Sequence, residues 1–309
     1  MHYRKIGQTD LDVSVVGLGT WQFGGEWGID FTQHQVDAIL DHATEEGINL
    51  IDTAECYGDH LSEKLLGNYL SRHSRNDWIV ATKFGHHYHG PFNRTRQLDP
   101  DDVLKQLDRS LKALQTDYID LYQSHSLSDQ EFNNDTLWTM LDKQKQAGKI
   151  RYIGLSLQNK PSLMQTKVAK ELGVSALQLV YNRLTREAEQ EIFPLSEENQ
   201  LGILARVPLA SGYLSGKYNE GDRFQSNDVR SRHDRDEQRR KLALVKEIAQ
   251  SEVPEGMSMA TWALAWCLQH PAVTTVIPGC KSVDQVKKNA SAARQAGVCE
   301  NHPQFIKST

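Results

Sequence analysis

The sequence has no closely spaced pair of cysteines. Cys56, Cys267, Cys280 and Cys299 stand far apart, which excludes a zinc knuckle or a thioredoxin-type motif. No apolar run reaches the roughly 18 residues that a membrane-spanning helix needs. The opening MHYRKIGQTD lacks the apolar stretch of a secretory signal. Positive charge is not in excess: 35 Lys and Arg against 40 Asp and Glu leave a net −5. Nothing general therefore draws the chain to nucleic acid or to anionic lipid. These absences predict a reduced, cytoplasmic protein with neither a nucleic acid nor a membrane as partner; oligomeric state is not written in the sequence, and a monomer is taken as the default.

Disorder is excluded too, because hydrophobic residues are 39% and charged residues 24% of the 309. That length suits two ordinary domains or one α/β barrel. Eight short apolar runs recur along it: Val13–Gly19, Asn49–Thr53, Trp78–Lys83, Tyr118–Gln123, Tyr152–Ser156, Ala176–Tyr181, Gly202–Pro208 and Val273–Pro278. They are too short for helices and rich in Val, Ile, Leu and Tyr, as buried parallel strands are. Between them, Gln33–Glu46 and Asp101–Leu114 carry apolar residues three and four apart. Asp99-Pro100-Asp101 reads as a capped helix start, and Gly47, Gly148 and Gly173 fall where helix C-caps belong. Eight even units without a linker predict a (β/α)₈ TIM barrel forming one domain over residues 1–309. Tyr3–Val15 reads as an N-terminal β-hairpin turning at Gln8-Thr9-Asp10. Ser211–Gln238, after strand 7, is too polar and too long for an ordinary connection and reads as a binding loop. The tail after Ala292 is short and polar, and offers little to close a pocket.

In such a barrel the chemistry gathers at the C-terminal ends of the strands. Asp52 ends the second run, with Tyr57 in the loop beyond it. Lys83 ends the third, and His125 follows the fourth. A lysine near a phenol favours phenolate and lowers its pKa, and the lysine needs a counter-charge that Asp52 can supply. A histidine can orient a carbonyl oxygen or assist proton transfer. Each residue also has a plain reading: a helix cap, a rim aromatic, a solvated strand end, a core histidine. Their meeting on three consecutive strand ends is what points to chemistry.

The segments Asp52-Thr53-Ala54-Glu55-Cys56-Tyr57-Gly58, Ser62-Glu63-Lys64-Leu65-Leu66-Gly67 and Ala81-Thr82-Lys83 closely resemble the aldo-keto reductase family. So do Asp120–His125, Val180-Tyr181-Asn182, Pro208–Gly212, Leu214–Tyr218 and Val276–Gly279. The resemblance covers nearly the whole chain in order. It implies a (β/α)₈ barrel that binds NADPH (NADP) without a Rossmann domain and reduces aldehydes or ketones. It assigns Asp52, Tyr57, Lys83 and His125 as the catalytic tetrad, with Tyr57 as general acid and Asp52 also beside the cofactor.

Gly17-Leu18-Gly19-Thr20-Trp21-Gln22 lacks the third glycine of a dinucleotide fingerprint, and the resemblance makes Gly19, Thr20 and Trp21 a close backbone approach to cofactor or substrate. The small residues of Pro208–Lys217, including Leu209, Ser211, Gly212 and Leu214, let amides reach a pyrophosphate. Lys217 and Arg223 add charge there. Gly279 and Lys281 precede a helix start that can hold a phosphate, and Lys281 suits an adenosine 2′-phosphate. By resemblance Gln285 and Asn289 contact the adenosine end, and Ser156 and Gln178 hold the nicotinamide carboxamide. Three positions depart from the family pattern: Leu157 where asparagine is common, Arg206 where an aromatic stacks on the nicotinamide, and Lys288 where a glutamate is common. Trp21, Trp27 and Phe23 read as an apolar substrate wall or as core. His86, His87 and His89 lack a carboxylate–histidine pattern, so they read as a solvated loop and no metal is expected. A small carbonyl compound is the expected substrate. An NAD(P)-linked polyol or sugar dehydrogenase and a non-catalytic NADPH-binding regulatory subunit are the alternatives.

Overall fold

Two short strands open the chain in the computed structural model, which describes residues 1–295. β1 (Tyr3–Lys5) and β2 (Asp12–Ser14) pair antiparallel. Thr9 ties their turn by donating to the Ile6 carbonyl at 2.7 Å and accepting from the Leu11 amide at 3.1 Å. The run Val13–Gly19 thus divides: its start completes the hairpin and its end becomes β3 (Leu18–Gly19). Then come β4 (Leu50–Asp52), β5 (Ile79–Phe84), β6 (His86–Gly90), β7 (Asn93–Arg96), β8 (Ile119–His125), β9 (Ile150–Ser156), β10 (Val174–Val180), β11 (Gly202–Arg206) and β12 (Val273–Val276). All but β1, β2, β6 and β7 form one parallel sheet, each strand beside the next in sequence. The Gly17 amide donates to Val276 at 2.8 Å and the Gly19 amide to Pro278 at 3.0 Å, which closes the sheet on itself. The fold is a (β/α)₈ barrel.

The helices are α1 (Gln33–Glu45), α2 (Leu61–Leu70), α3 (Pro100–Leu114), α4 (Asp129–Phe132), α5 (Asp135–Gln146), α6 (Leu163–Val168), α7 (Ile192–Glu198), α8 (Arg235–Ser251), α9 (Met259–Leu268) and α10 (Val283–Ser291). α1 begins at a reciprocal cap between Thr32 and Gln35, and α3 at Asp99, whose carboxylate accepts from the Asp101 amide. Gly47 and Gly148, one residue past the C-caps of α1 and α5, take left-handed φ values of 78° and 79°.

The barrel interior has two layers. At its lower end Ile6, Leu11 and Val13 of the hairpin pack against Leu50, Ala81, Leu121, Ala176 and Leu204, so the hairpin plugs that mouth. Towards the C-terminal rim the interior turns polar, with Asp52, Lys83, Gln123 and Gln178 all buried.

Two expectations need correction. The loop after β11 ends sooner than Gln238, because Asp234 accepts from the Glu237 amide and starts α8 at Arg235. The acids Asp236 and Glu237 in its first turn suit the helix dipole, so the charged run is helix from that point. The stretch beyond Lys83 is also not a loop, since β6 and β7 pair as an antiparallel hairpin. Residues 296–309 of the expected domain, with Cys299 and most of the polar tail, lie outside the described residues.

Candidate active site

Asp52 ends β4 at a point where burial removes water from its carboxylate. Three side chains replace that water. Lys83 Nζ donates to Oδ1 at 2.7 Å, while Gln178 Nε2 and Gln123 Nε2 donate to Oδ2 at 2.7 and 3.1 Å. Lys83 Nζ also donates to the Thr53 carbonyl at 2.8 Å and to Tyr57 Oη at 3.4 Å. A buried ion pair needs every remaining lone pair and proton satisfied, and this one has its partners. The half-buried Tyr57 ring lies under Trp21, with centroids 5.9 Å apart, and edge-on to His125 at 6.2 Å. Gly24 fixes the tyrosine backbone from the other side. A Cβ there would stand 2.7 Å from the Tyr57 carbonyl carbon, so only glycine lets the two segments touch.

The electrostatics correct one expectation. Burial pushes the Tyr57 phenol up to about 12, and Lys83 beside it only partly offsets this. The phenol is therefore a held proton at neutral pH. Burial works to lower the Lys83 ammonium, but Asp52 outweighs it and holds the group above its ordinary value. Burial, with His86 and Lys83 adding, drives His125 well below the usual histidine range, so the ring is neutral.

Above this group opens a cavity of about 450 Å³. Gly19, Thr20, Trp21, Trp27, Asp52, Tyr57 and His125 line one end. Gln178, Arg206, Pro208, Leu209, Ser211, Gly212 and Lys217 form its wall beyond β10 and β11, and Gly279, Lys281, Gln285, Lys288 and Asn289 close it at α10. Five sequence candidates are not in the wall, and one of them, Phe23, is wholly buried in the core. Lys83 lies beneath the floor, wholly buried. Ser156 is 1% exposed and donates to Gln178 Oε1 at 3.3 Å, so it touches the cavity only through that glutamine. Leu214 is wholly buried in the core, and Arg223 is exposed on the loop outside the wall. Arg206 donates from Nη2 to the Leu157 carbonyl and to Asn159 Oδ1, both at 3.1 Å. Two of the three unusual positions, 157 and 206, are thus in contact. Lys281 Nζ reaches the Trp27 carbonyl and lies 3.9 Å from Asp228.

Arg94, Arg206, Lys217, Arg230, Lys281 and Lys288 line the cavity; Arg94 and Arg230 are paired with Glu26 and Asp228 behind the wall, which leaves Arg206, Lys217, Lys281 and Lys288 as its net positive charge above the Asp52–Lys83 pair. Such a wall favours an anionic ligand, and backbone turns with positive φ at Val207, Ala210 and Ser211 bring main chain to its edge. The residues present fit a nicotinamide dinucleotide, whose pyrophosphate is anionic.

Sequence reasoning missed several wall residues. Arg94, on β7, pairs with the wholly buried Glu26 at 2.5 Å and donates to the Cys56 carbonyl at 3.0 Å. Arg230 pairs with Asp228 at 2.6 Å. Cys56, Asn159 and Tyr218 also line the cavity. His86, expected to be solvated, instead turns inward: its ring meets His125 edge-on at 4.7 Å, and burial lowers its pKa to about 4. The alternation of His86, His87, Tyr88 and His89 was the available signal, since period two sends every other side chain to one face.

A closed parallel barrel thus sets a phenol beside a buried lysine–aspartate pair at the floor of a cationic cavity. The comparisons with known proteins name the family. The model of the aldo/keto reductase family matches residues 15–297, and the chain belongs to that family. Its members are oxidoreductases that generally use nicotinamide cofactors. The chain is 31% identical over 312 residues to the uncharacterized oxidoreductase YqkF of Bacillus subtilis, covering 100% of this chain and 96% of that protein. Among solved structures it is similar to aldo-keto reductase AKR11C1 from Bacillus halodurans in its holo form. The TM-score is 0.79 at 32% identity, over 94% of this chain and 90% of that one. It is likewise similar to the glycerol dehydrogenase AKR11B4 from Gluconobacter oxydans, with TM-score 0.80 and 30% identity over 94% and 89%. Among the described residues no helix is long and apolar enough to cross a membrane.

Proposed function

We propose that this protein is an NADPH-dependent reductase of small aldehydes or ketones, with Tyr57 as the proton donor. One observation carries the reading: Tyr57 Oη lies 3.4 Å from Lys83 Nζ, itself 2.7 Å from Asp52, at the floor of a cationic cavity. A bound reduced nicotinamide supplies the hydride. Tyr57 keeps its proton through neutral pH and gives it to the carbonyl oxygen as charge develops there. Lys83 stabilises the phenolate left behind, and Asp52 with its two glutamines keeps the ammonium in register. His125, neutral, offers a ring N–H to the same oxygen. Gln178 and Arg206 would hold the nicotinamide end, Ser211, Gly212 and Lys217 the pyrophosphate, and Lys281, Gln285 and Asn289 the adenosine 2′-phosphate end. A cytoplasmic monomer acting on a free small molecule belongs to the same reading.

NADPH oxidation with a panel of aldehydes, comparing wild type with Tyr57→Phe, tests it. The variant is expected to lose about 10²–10⁴-fold in rate while still binding NADPH; equal rates would remove Tyr57 as the acid. Lys281→Ala is expected to weaken NADPH binding by roughly 10–100-fold and leave NADH binding unchanged. A parallel loss for both cofactors would reject the 2′-phosphate role.

A second reading is a polyol dehydrogenase running towards the carbonyl. The likeness to the glycerol dehydrogenase favours it. Turnover of glycerol and larger polyols with NADP or NAD, exceeding reduction of every aldehyde, would select it.

A further inference from the structure

We propose that Glu55, Cys56, His86 and His125 form a binding site for a divalent cation of the zinc class, beside Tyr57 at the edge of the cavity. This goes beyond the reductase reading and does not depend on it. Three strand-end segments meet here. Glu55 and Cys56 follow β4, His86 begins β6, and His125 ends β8. One ligand atom from each lies within 4.8 Å of the others.

One pair already stands at tetrahedral spacing, and the other ligand atoms, all within 4.8 Å, need only small side-chain shifts to close the site. Cys56 Sγ is 3.6 Å from His125 Nδ1. Zinc bonds of about 2.3 Å to sulfur and 2.0–2.1 Å to nitrogen place the two ligands about 3.6 Å apart at a tetrahedral angle. The other two groups are left unsatisfied. Glu55 is 4% exposed, and its Oε1 accepts from the His86 amide at 3.0 Å, yet its Oε2 has no partner. His86 Nδ1 is buried and also has none. Buried polar groups are nearly always paired or bound to metal. One thiol, two imidazoles and one carboxylate select zinc or its neighbours over magnesium or calcium, which want all-oxygen shells.

Binding releases the Cys56 proton to solvent and fixes the remaining proton of His125 on Nε2. His86 needs one rearrangement. Arg96 Nη1 faces its Nε2 at 3.1 Å, and a guanidinium can only donate, so the metal-free ring carries its proton on Nδ1. On binding that proton moves to Nε2, and Arg96 turns from the ring while keeping its bond to the His125 carbonyl at 2.7 Å. Arg96 therefore opposes the metal, and a glutamine there would accept from Nε2–H instead.

The test uses the full-length, chelator-treated protein without cofactor or carbonyl, so its outcome is separate from that of the reductase assignment. Co²⁺ titration followed by absorbance is expected to fill one tetrahedral site per chain with a thiolate-to-cobalt band in the near ultraviolet, displaced by Zn²⁺. Cys56→Ser should abolish the band, Glu55→Gln should weaken Zn²⁺ by at least about tenfold in calorimetry, and Arg96→Gln should tighten it. The double variant His87→Ala, His89→Ala, which removes the exposed histidines, should bind as wild type does. No thiolate band in the folded wild type, an undiminished band in Cys56→Ser, or loss of the site with His87 and His89 would overturn the proposal.

Discussion

Tyr57 sits between two opposed influences, and their balance sets what it can do. Loss of water raises the phenol, the Lys83 ammonium lowers it, and burial wins, leaving the group at about 12. The sequence identified both residues but not the winner, because residue types do not report how much water the fold removes. The sign of the pH dependence follows. In the proposed reduction Tyr57 acts as the protonated phenol, so its ionisation, raised to about 12 by burial, is not expected to limit that direction near neutral pH. Oxidation of an alcohol needs phenolate, so that rate is expected to climb through the neutral and alkaline range. Profiles of kcat against pH in both directions check this. A fall in reduction near neutral pH that disappears in Tyr57→Phe would contradict the raised phenol.

The loop between β11 and α8 shows what a single element draws from its neighbours. It crosses the barrel mouth and is held there by main-chain bonds, Val229 N–H to Glu26 at 2.9 Å and Gly28 N–H to Asn227 at 3.3 Å. Between them lies the buried pair of Asp228 and Arg230. Burial works to raise the Asp228 carboxyl, but the hydrogen bonds from Arg230 prevail and hold it below its ordinary value. A depressed carboxyl stabilises fully above its unfolded pKa of about 3.9 and loses that contribution as the pH falls through the folded value. Asp228→Ala is thus expected to release the loop at neutral pH, and acid to do so in the wild type only as the pH falls through the depressed folded value, below the ordinary carboxyl range. Limited proteolysis with an acid-active and a neutral protease reads both, as faster cleavage within residues 216–228 and unchanged cleavage of the barrel. The length and polarity of this loop were legible in the sequence. Its end was not, because the Asp234 cap is one acid among many in a charged run. The β6–β7 hairpin escaped for a related reason: its residues are polar, and apolar runs were the signal for strands.

Closure of the whole molecule depends on contacts that no local pattern reports. Gly67 in α2 lies where a Cβ would stand 2.1 Å from the Ala113 carbonyl oxygen in α3, so these helices pack backbone to backbone. Gly67→Ala is expected to force them apart and cost about 1–3 kcal/mol, seen as a lower urea midpoint with an unchanged slope. Tyr57→Phe should leave that midpoint in place, which separates damage to the scaffold from damage to the chemistry. By itself the sequence determined the eight strands, the barrel and the N-terminal hairpin, and put Asp52, Tyr57, Lys83 and His125 at the C-terminal end of neighbouring strands. Strand periodicity, caps and strand-end chemistry are local properties, written within a few residues of where they act. Only the tertiary structure decided that Ser156 reaches the cavity through Gln178, that Leu214 belongs to the core, that Arg206 touches position 157, and that His86 faces His125. Those outcomes join segments tens of residues apart, and they turn on burial and distance, which exist only once the barrel has closed.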